Sequence, residues 1–326
     1  MVRVLSDKDI QGLLDLNDLL GVVEDAFVKQ GRDEVERPER PHFDVGTGLD
    51  PDNRAEPQGM GLVMPAYIHG AEHYATKIVS VHEKNKKKDL PTVNAQIALV
   101  NADNGLPSAY MAGTRITNAR TGCIGGLSAR ELAHEPVKLG VIGAGTQARW
   151  QSRAIATATN VEEIRVYSPS DSKYECAEDL KSLLDVSATA VSTPREAVEG
   201  ANVVVTATTA TEPVFPGDAL SDDTLVVAVG AYTAEMQEID LTTVERAARI
   251  FADVPEEVRG IGDIKNTIPD VELIPLSEVF EGNAGRETED EIIVVDSVGT
   301  AVLDAATSEH LLGKAEEEGV GSDVEI

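Results

Sequence analysis

Residues 137–148 read Val-Lys-Leu-Gly-Val-Ile-Gly-Ala-Gly-Thr-Gln-Ala. An apolar strand runs straight into Gly143-Ala144-Gly145-Thr146-Gln147-Ala148, and a helical pattern follows. Gly143 permits a tight turn, and Gly145 lets the backbone come close to a pyrophosphate. The helix N-terminus behind them supplies N–H groups and a partial positive charge. Ala148 takes the third small position, where helix and strand pack. A bare G-x-G-x-x-A says little. Between a strand and a helix, at the head of a βαβ series, it predicts a dinucleotide-binding turn carried by Gly143, Gly145, Thr146 and Gln147.

Outward from that turn, strand and helix patterns alternate. Further strands are expected at 163–167, 188–191, 202–207, 224–229, 248–252 and 292–295, with helical segments between most of them. Apolar strands in such alternation predict an α/β fold with a doubly wound parallel sheet. Upstream the pattern differs. A helix is expected over 6–30, then a Pro-, Gly- and Asp-rich stretch over 31–72 with short strands near His42 and Leu62. A strand follows at 73–81. Strands 93–100 and 106–112 flank Asn104-Gly105, a hairpin signal. An Ala/Gly-rich helix over 114–133 leads to the turn. After residue 299 the chain returns to helix (299–313) and ends in an acidic tail expected to fray.

The second strand of a dinucleotide fold ends where the adenosine ribose lies. An NAD site carries Asp or Glu there, and this chain has Ser168-Pro169-Ser170. Without a carboxylate to repel a 2′-phosphate, Ser168 gives NADP a slight preference over NAD. Lys173 reads as an exposed helix lysine.

Acidic residues number 57 against 28 Lys+Arg, a net charge of −29. So acidic a surface repels nucleic acid and anionic lipid. The acids are spread along the whole chain, as a high-salt cytoplasm favours, because salt screens self-repulsion. A salt-adapted cytoplasmic protein is therefore expected. No apolar run approaches the ~18 residues of a membrane span, and the charged start has no signal core. Cys123 and Cys176 make no disulfide framework and read as a small packing residue and an inert thiol on an exposed helix. His69 and His73 stand four apart with no third ligand in view, so no metal site is expected. Lys84–Lys88 reads as a solvated basic turn.

The sequence also resembles the ornithine cyclodeaminase/mu-crystallin family. The resemblance rests on Pro38-Glu39-Arg40, Met64-Pro65-Ala66-Tyr67, the lysine strand Lys77–Val81, Leu90-Pro91-Thr92, Arg120-Thr121-Gly122 and the Gly143–Ala148 turn. Thr206-Ala207-Thr208, Val229-Gly230-Ala231 and Asp296-Ser297-Val298-Gly299 complete it. It implies a Rossmann-like domain (121–299) inserted into a second α+β domain with a mainly antiparallel sheet (1–120, completed by 300–326), which dimerises through that sheet. It implies that Arg40 and Arg120 hold a substrate α-carboxylate while Lys77 handles the proton at the amino or imino nitrogen. Thr92, Arg120, Thr121, Thr208, Val229, Gly230, Ala231 and Ser297 would lie around the cofactor, and Val298 near the substrate. On residue chemistry alone, Arg40, Lys77 and Arg120 read first as surface ion-pair partners, and the resemblance reverses that order.

Three positions depart from the ornithine-cyclising pattern. Tyr232 stands where those members carry an Asp that binds the distal amine, Met236 where they carry a Lys, and Leu62 where they carry a Glu. Tyr232 can donate a hydrogen bond or a proton as a catalytic group, but it cannot neutralise an ammonium. A buried ammonium left unpaired there would cost several kcal/mol. The leading expectation is thus an NAD(P)-dependent oxidoreductase on the CH–NH2/C=N group of a small amino or imino acid, of the alanine dehydrogenase or ketimine reductase type. Ornithine cyclodeaminase and a non-catalytic, mu-crystallin-like dinucleotide-binding protein are the alternatives.

Overall fold

The structure, a computed structural model, describes residues 1–88 and 90–325. Asp89 and the side chains of Lys86 and Lys87, part of the basic turn, lie outside the described residues. Lys84 of that turn pairs with Glu56 at 2.7 Å.

The chain opens with β1 (Val2–Leu5) and α1 (Asp7–Leu13). A capping box starts α1: the Asp9 N–H donates to Ser6 Oγ at 3.3 Å, and the Ser6 N–H to Asp9 Oδ2 at 2.9 Å. Leu14 at φ −79°, ψ 117° ends it, and α2 (Leu16–Gly31) follows. Four strands come next: β2 (Gly59–Ile68), β3 (His73–Val81), β4 (Val93–Asn101) and β5 (Pro107–Ala112). Then come α3 (Gly113–Leu132), β6 (Val137–Ile142), α4 (Thr146–Ala158), β7 (Val161–Tyr167), α5 (Ser172–Leu184) and β8 (Ser187–Ala190). The series continues through β9 (Val203–Thr206), β10 (Leu225–Ala228), β11 (Ala247–Ala252) and β12 (Ile292–Asp296). It closes with α6 (Ala301–Glu318) and β13 (Ser322–Val324).

These elements form two compact units. The first holds Met1–Asp15, Arg32–Arg120 and the chain from Ala301 on. Its sheet runs β13-β1-β5-β4-β3-β2, and the short strands Val35–Glu36 and His42–Val45 both pair with β2. All these pairings are antiparallel except β1 on β5. Register fixes what each face carries, because side chains alternate along a strand. One row across the sheet is Met64, Lys77, Ile97, Met111 and Leu5, all buried. Helix α6 packs on β2, β3 and β4 over that face. The opposite row is Pro65, Thr76, Ala98, Tyr110 and Val4, with Ile78 and Tyr74 on the same face. Ile78, Tyr110, Tyr74 and Val4 are exposed there.

The second unit holds Leu16–Gly31 and Thr121–Thr300. Its sheet is parallel throughout, in the order β8-β7-β6-β9-β10-β12-β11, with the short strand Ile274–Pro275 beyond β11. Every residue of β9, β10 and β12 is buried, as strands covered by helices on both faces require. The strand order reverses between β6 and β9, the point at which such sheets take their ligands.

Three expectations need correction. The helix expected over 6–30 is two helices, because Ile10 and Leu13 of α1 bury in the first unit whereas Leu16 to Phe27 of α2 bury in the second. Residues 16–31, expected with the first domain, therefore pack with the parallel sheet. The tail does not fray throughout. Strand β13 pairs with β1, and Arg3 Nε meets Asp323 Oδ1 at 3.1 Å. Among the described residues no helix is long and apolar enough to cross a membrane.

Candidate active site

In the first unit, Lys77 is the polar member of an otherwise apolar row, and it is 1% exposed. Its Nζ donates to Asp304 Oδ2 at 2.6 Å. The Nε of Arg120, near the middle of α3, donates to Asp304 Oδ1 at 3.1 Å. One buried carboxylate from α6 thus joins cations from β3 and α3. Burial pushes the Lys77 amine down to about 8. Asp304 opposes that shift, and the Arg120 and Arg40 charges add to it. Burial pushes Asp304 the other way, but the Arg120 and Lys77 charges prevail and hold its carboxyl below the usual range. Arg40 also acts on the Lys77 amine. Arginines beside a buried amine suit a bound carboxylate. Thr92 lies just before β4 in this unit, and its carbonyl accepts from the His82 N–H at 2.8 Å.

In the second unit, the turn after β6 has the shape its sequence asks for. Gly143 takes φ +113°, and a Cβ there would stand 2.5 Å from the Ala207 carbonyl oxygen. Gly145 has open space where a Cβ would project. It caps α4 with no side-chain bond to the first-turn N–H groups. Gly145 and Thr146 are exposed and Gln147 is half-buried. A cradle of bare backbone at the switch point fits the pyrophosphate of a dinucleotide. At the end of β7, Ser168 is buried, and its Oγ lies 3.3 Å from Ser170 Oγ, which is 2.6 Å from Ser172 Oγ. Lys173 stacks over the Tyr167 and Tyr174 rings, at 5.4 and 5.6 Å.

Buried carboxylates gather at the ends of β9 to β12, and of these only Asp296 lies in a stretch that the sequence reading quoted. Glu238 accepts from Thr206 Oγ1 (2.9 Å), the Thr208 N–H (2.6 Å) and the Gly230 N–H (2.8 Å). It thereby stitches together the segments of two expected cofactor contacts, Thr208 and Gly230. Asp263 accepts from the Ile239 N–H at 2.9 Å. Asp253 accepts from Ser297 Oγ (2.6 Å), the Val298 N–H (3.1 Å) and the Gly299 N–H (2.7 Å). Ser297, expected at the cofactor, thus turns its hydroxyl inward. Asp296 is buried with neither carboxylate oxygen in hydrogen-bond geometry. Burial and the Asp263 charge push Glu238 up to about 7. Burial takes Asp263 to about 6, and burial with three acidic neighbours raises Asp296 strongly.

Tyr232 and Val298 both pack against a small apolar cluster of Ala231, Met236 and Ile261. Val229 donates its N–H to the Thr206 carbonyl at 3.1 Å. Thr121, the residue after Arg120 on α3, accepts from Gln151 Nε2 at 2.8 Å. Cys176, expected on an exposed helix face, is buried, and Cys123 is buried with its thiol pushed up to about 12 by desolvation. His69 meets Glu36 (3.1 Å) and His73 meets Glu309 (3.4 Å). Among the described residues, no three His, Cys, Asp or Glu side chains gather as a ligand set.

A doubly wound sheet with a bare-backbone turn at its switch point defines a dinucleotide-binding fold, here joined in one chain to a unit with a buried lysine–aspartate–arginine site. The chain belongs to the ornithine cyclodeaminase/mu-crystallin family, whose family model matches residues 2–319. It is 32% identical over 282 residues to the Delta(1)-pyrroline-2-carboxylate reductase of Bacillus cereus, covering 83% of this chain and 86% of that one. Among solved structures, the Delta(1)-pyrroline-2-carboxylate reductase of Thermococcus litoralis, in complex with NADH and L-proline, superposes with a TM-score of 0.92 at 33% identity. That match covers 99% of this chain and 100% of the other. An archaeal alanine dehydrogenase dimer with bound NAD gives 0.88 at 26% identity and covers 99% of each chain.

Proposed function

We propose that this protein is an NAD-dependent oxidoreductase that interconverts a small α-imino acid and the corresponding amino acid. The observation that carries the reading is the buried Lys77–Asp304–Arg120 constellation. It combines a proton-bearing amine, perturbed toward neutral pH, with cations suited to one carboxylate. Arg40 and Arg120 grip the substrate carboxylate. Asp304 takes Arg120 through Nε, so the terminal Nη pair is the fork that meets it. Lys77 gives a proton to the nitrogen when the C=N bond is reduced, and its neutral form takes that proton back in the reverse direction. A bound nicotinamide supplies or accepts the hydride at the carbon. Gly143, Gly145, Thr146 and Gln147 receive the pyrophosphate. Thr208, Val229, Gly230 and Ala231 line the cofactor edge that Glu238 braces, with Ser168 toward the adenosine ribose and Ser297 behind Asp253. Thr121, on α3, and Thr92, the residue before β4, are the remaining cofactor contacts of this reading.

The identity of the cofactor follows the two solved relatives, which hold NADH and NAD. The preference for NADP drawn from Ser168 finds no support in them and is not part of this reading. Tyr232, beside Val298, Ala231 and Met236, presents an apolar wall with one hydroxyl. That favours pyrroline-2-carboxylate or the imine of a short 2-oxo acid over a substrate with a second ammonium. The exposed face of the antiparallel sheet and the dimeric alanine dehydrogenase relative support a homodimer.

The test is absorbance at 340 nm in multimolar KCl, with NADH and separately NADPH. The substrates are pyrroline-2-carboxylate, pyruvate plus ammonia and pyruvate plus methylamine, and ornithine plus NAD is assayed for ammonia. Loss of absorbance with an imine and NADH is expected. Ammonia from ornithine at constant absorbance would replace this reading with the lyase.

A further inference from the structure

The carboxylate that joins the two cations comes from a distant part of the chain. Asp304 is the fourth residue of α6, within the helix's first turn, where the helix dipole favours negative charge. It is 1% exposed, and each of its two oxygens takes a different cation: Oδ2 the Lys77 amine at 2.6 Å, Oδ1 the Arg120 Nε–H at 3.1 Å. The strands flanking β3 offer no other anion to the lysine, since its cross-strand neighbours are Met64 and Ile97. Two further charges that act on it, Arg120 from α3 and Arg40 from the segment before strand His42–Val45, are both positive. Farther along β3 and α6, His73 and Glu309 pair with each other at 3.4 Å.

We propose that Asp304 is the positioning residue of this site: by holding one N–H of Lys77 and the Nε–H of Arg120 on its two oxygens, it fixes where the lysine amine points and keeps it able to carry a proton at neutral pH. The proposal rests on the imine-reductase reading for its consequence in turnover, but not for its geometry. Without the aspartate, an amine out of water and beside the Arg120 and Arg40 charges favours its neutral form. A neutral Lys77 has no proton to give to the imine nitrogen. Asp304 acts through Lys77 and Arg120, both of its oxygens being taken by them.

The experiment titrates Lys77 directly, by NMR of protein labelled with 13Cε-lysine, and measures kcat/KM for imine reduction against pH in the same buffers. The Lys77→Met protein serves only to assign the resonance among the chain's twelve lysines. In the wild type the amine is expected to titrate near 8, with kcat/KM level below that pH and falling above it. In Asp304→Asn the midpoint moves down by about one unit or more, the usual effect of an opposite charge at contact distance. The alkaline limb of kcat/KM moves with it. Asp304→Glu keeps the charge but displaces it. Its Lys77 midpoint stays near the wild-type value, while kcat falls on the order of tenfold or more because the amine is misplaced.

An unmoved Lys77 midpoint in Asp304→Asn, with or without a loss of rate, overturns the proposal. If Asp304→Asn does not fold, Asp304→Glu decides it, and a wild-type kcat in that variant overturns it. A wild-type protein that reduces no imine removes the reductase reading instead. The Lys77 midpoints still decide what Asp304 does.

Discussion

Lys77 is the one charged residue in a row otherwise made of Met64, Ile97, Met111 and Leu5. Lys77 and Arg120 stood out in the sequence through the family resemblance, since on residue chemistry alone each read as a surface ion-pair partner in a chain with only 28 Lys+Arg. Their shared anion did not. With 57 acidic residues spread through the chain, an aspartate at position 304 carries no signal of its own. Its meaning comes from a contact 227 residues away in sequence. Glu238 was hidden for the same reason. The chemistry at residue scale is tested by Lys77→Met, which keeps the apolar stem and removes the amine. Imine reduction is expected to lose about 10²–10⁴ in kcat/KM, the usual worth of a positioned acid. NADH binding, followed by nicotinamide fluorescence, should stay within about twofold, because the expected dinucleotide contacts are carried mostly by the parallel-sheet unit. Retained turnover would take the proton from Lys77 and give it to another group.

The strands of the parallel sheet were legible in the sequence because burial on both faces leaves continuous apolar runs, and the Gly143 turn because its φ and its closeness to Ala207 admit only glycine. Element ends were less so. The break at Leu14 lies inside an unbroken helical pattern, since both helices bury apolar faces but in different units. The loops after β9 and β10 depend on Glu238, which joins Thr206, Thr208 and Gly230 from below the strand ends. Its pKa rises from 4.5 to about 7 on folding, so its contribution to stability is complete below pH 4.5 and is lost as pH rises through 7. That difference is on the order of 3 kcal/mol. Asp263 and Asp296 act with the same sign. Glu238→Gln cannot ionise, but it forfeits an acceptor for a backbone N–H, at about 1–3 kcal/mol. The variant should therefore melt below the wild type at pH 5, and the gap should narrow or reverse by pH 8. A gap that does not change with pH would mean that Glu238 stays ionised throughout.

At the scale of the whole molecule, two features pull in opposite directions. The outer face of the antiparallel sheet presents Val4, Tyr74, Ile78 and Tyr110 around Pro65 and Ala98, an apolar surface of the kind that a second copy covers. Each copy also carries a net charge of −29, so pairing concentrates like charge. Salt decides between them. The screening length falls from roughly 30 Å at 0.01 M to about 3 Å at 1 M, while apolar burial persists or strengthens. Light scattering across that range should therefore report a two-chain mass in molar KCl that falls toward one chain as salt is removed. Ile78→Asp places a charge in the middle of the face, where pairing would bury it without a partner. It should give a single-chain mass at every salt concentration and leave imine reduction within about twofold, because Ile78 and Lys77 are adjacent in β3 and so project to opposite faces of the sheet. A wild type that stays single in molar KCl would remove the dimer. A wild type that stays paired at low salt would show that apolar contact outweighs the repulsion unaided, and the acidic coat would then bear on solubility alone.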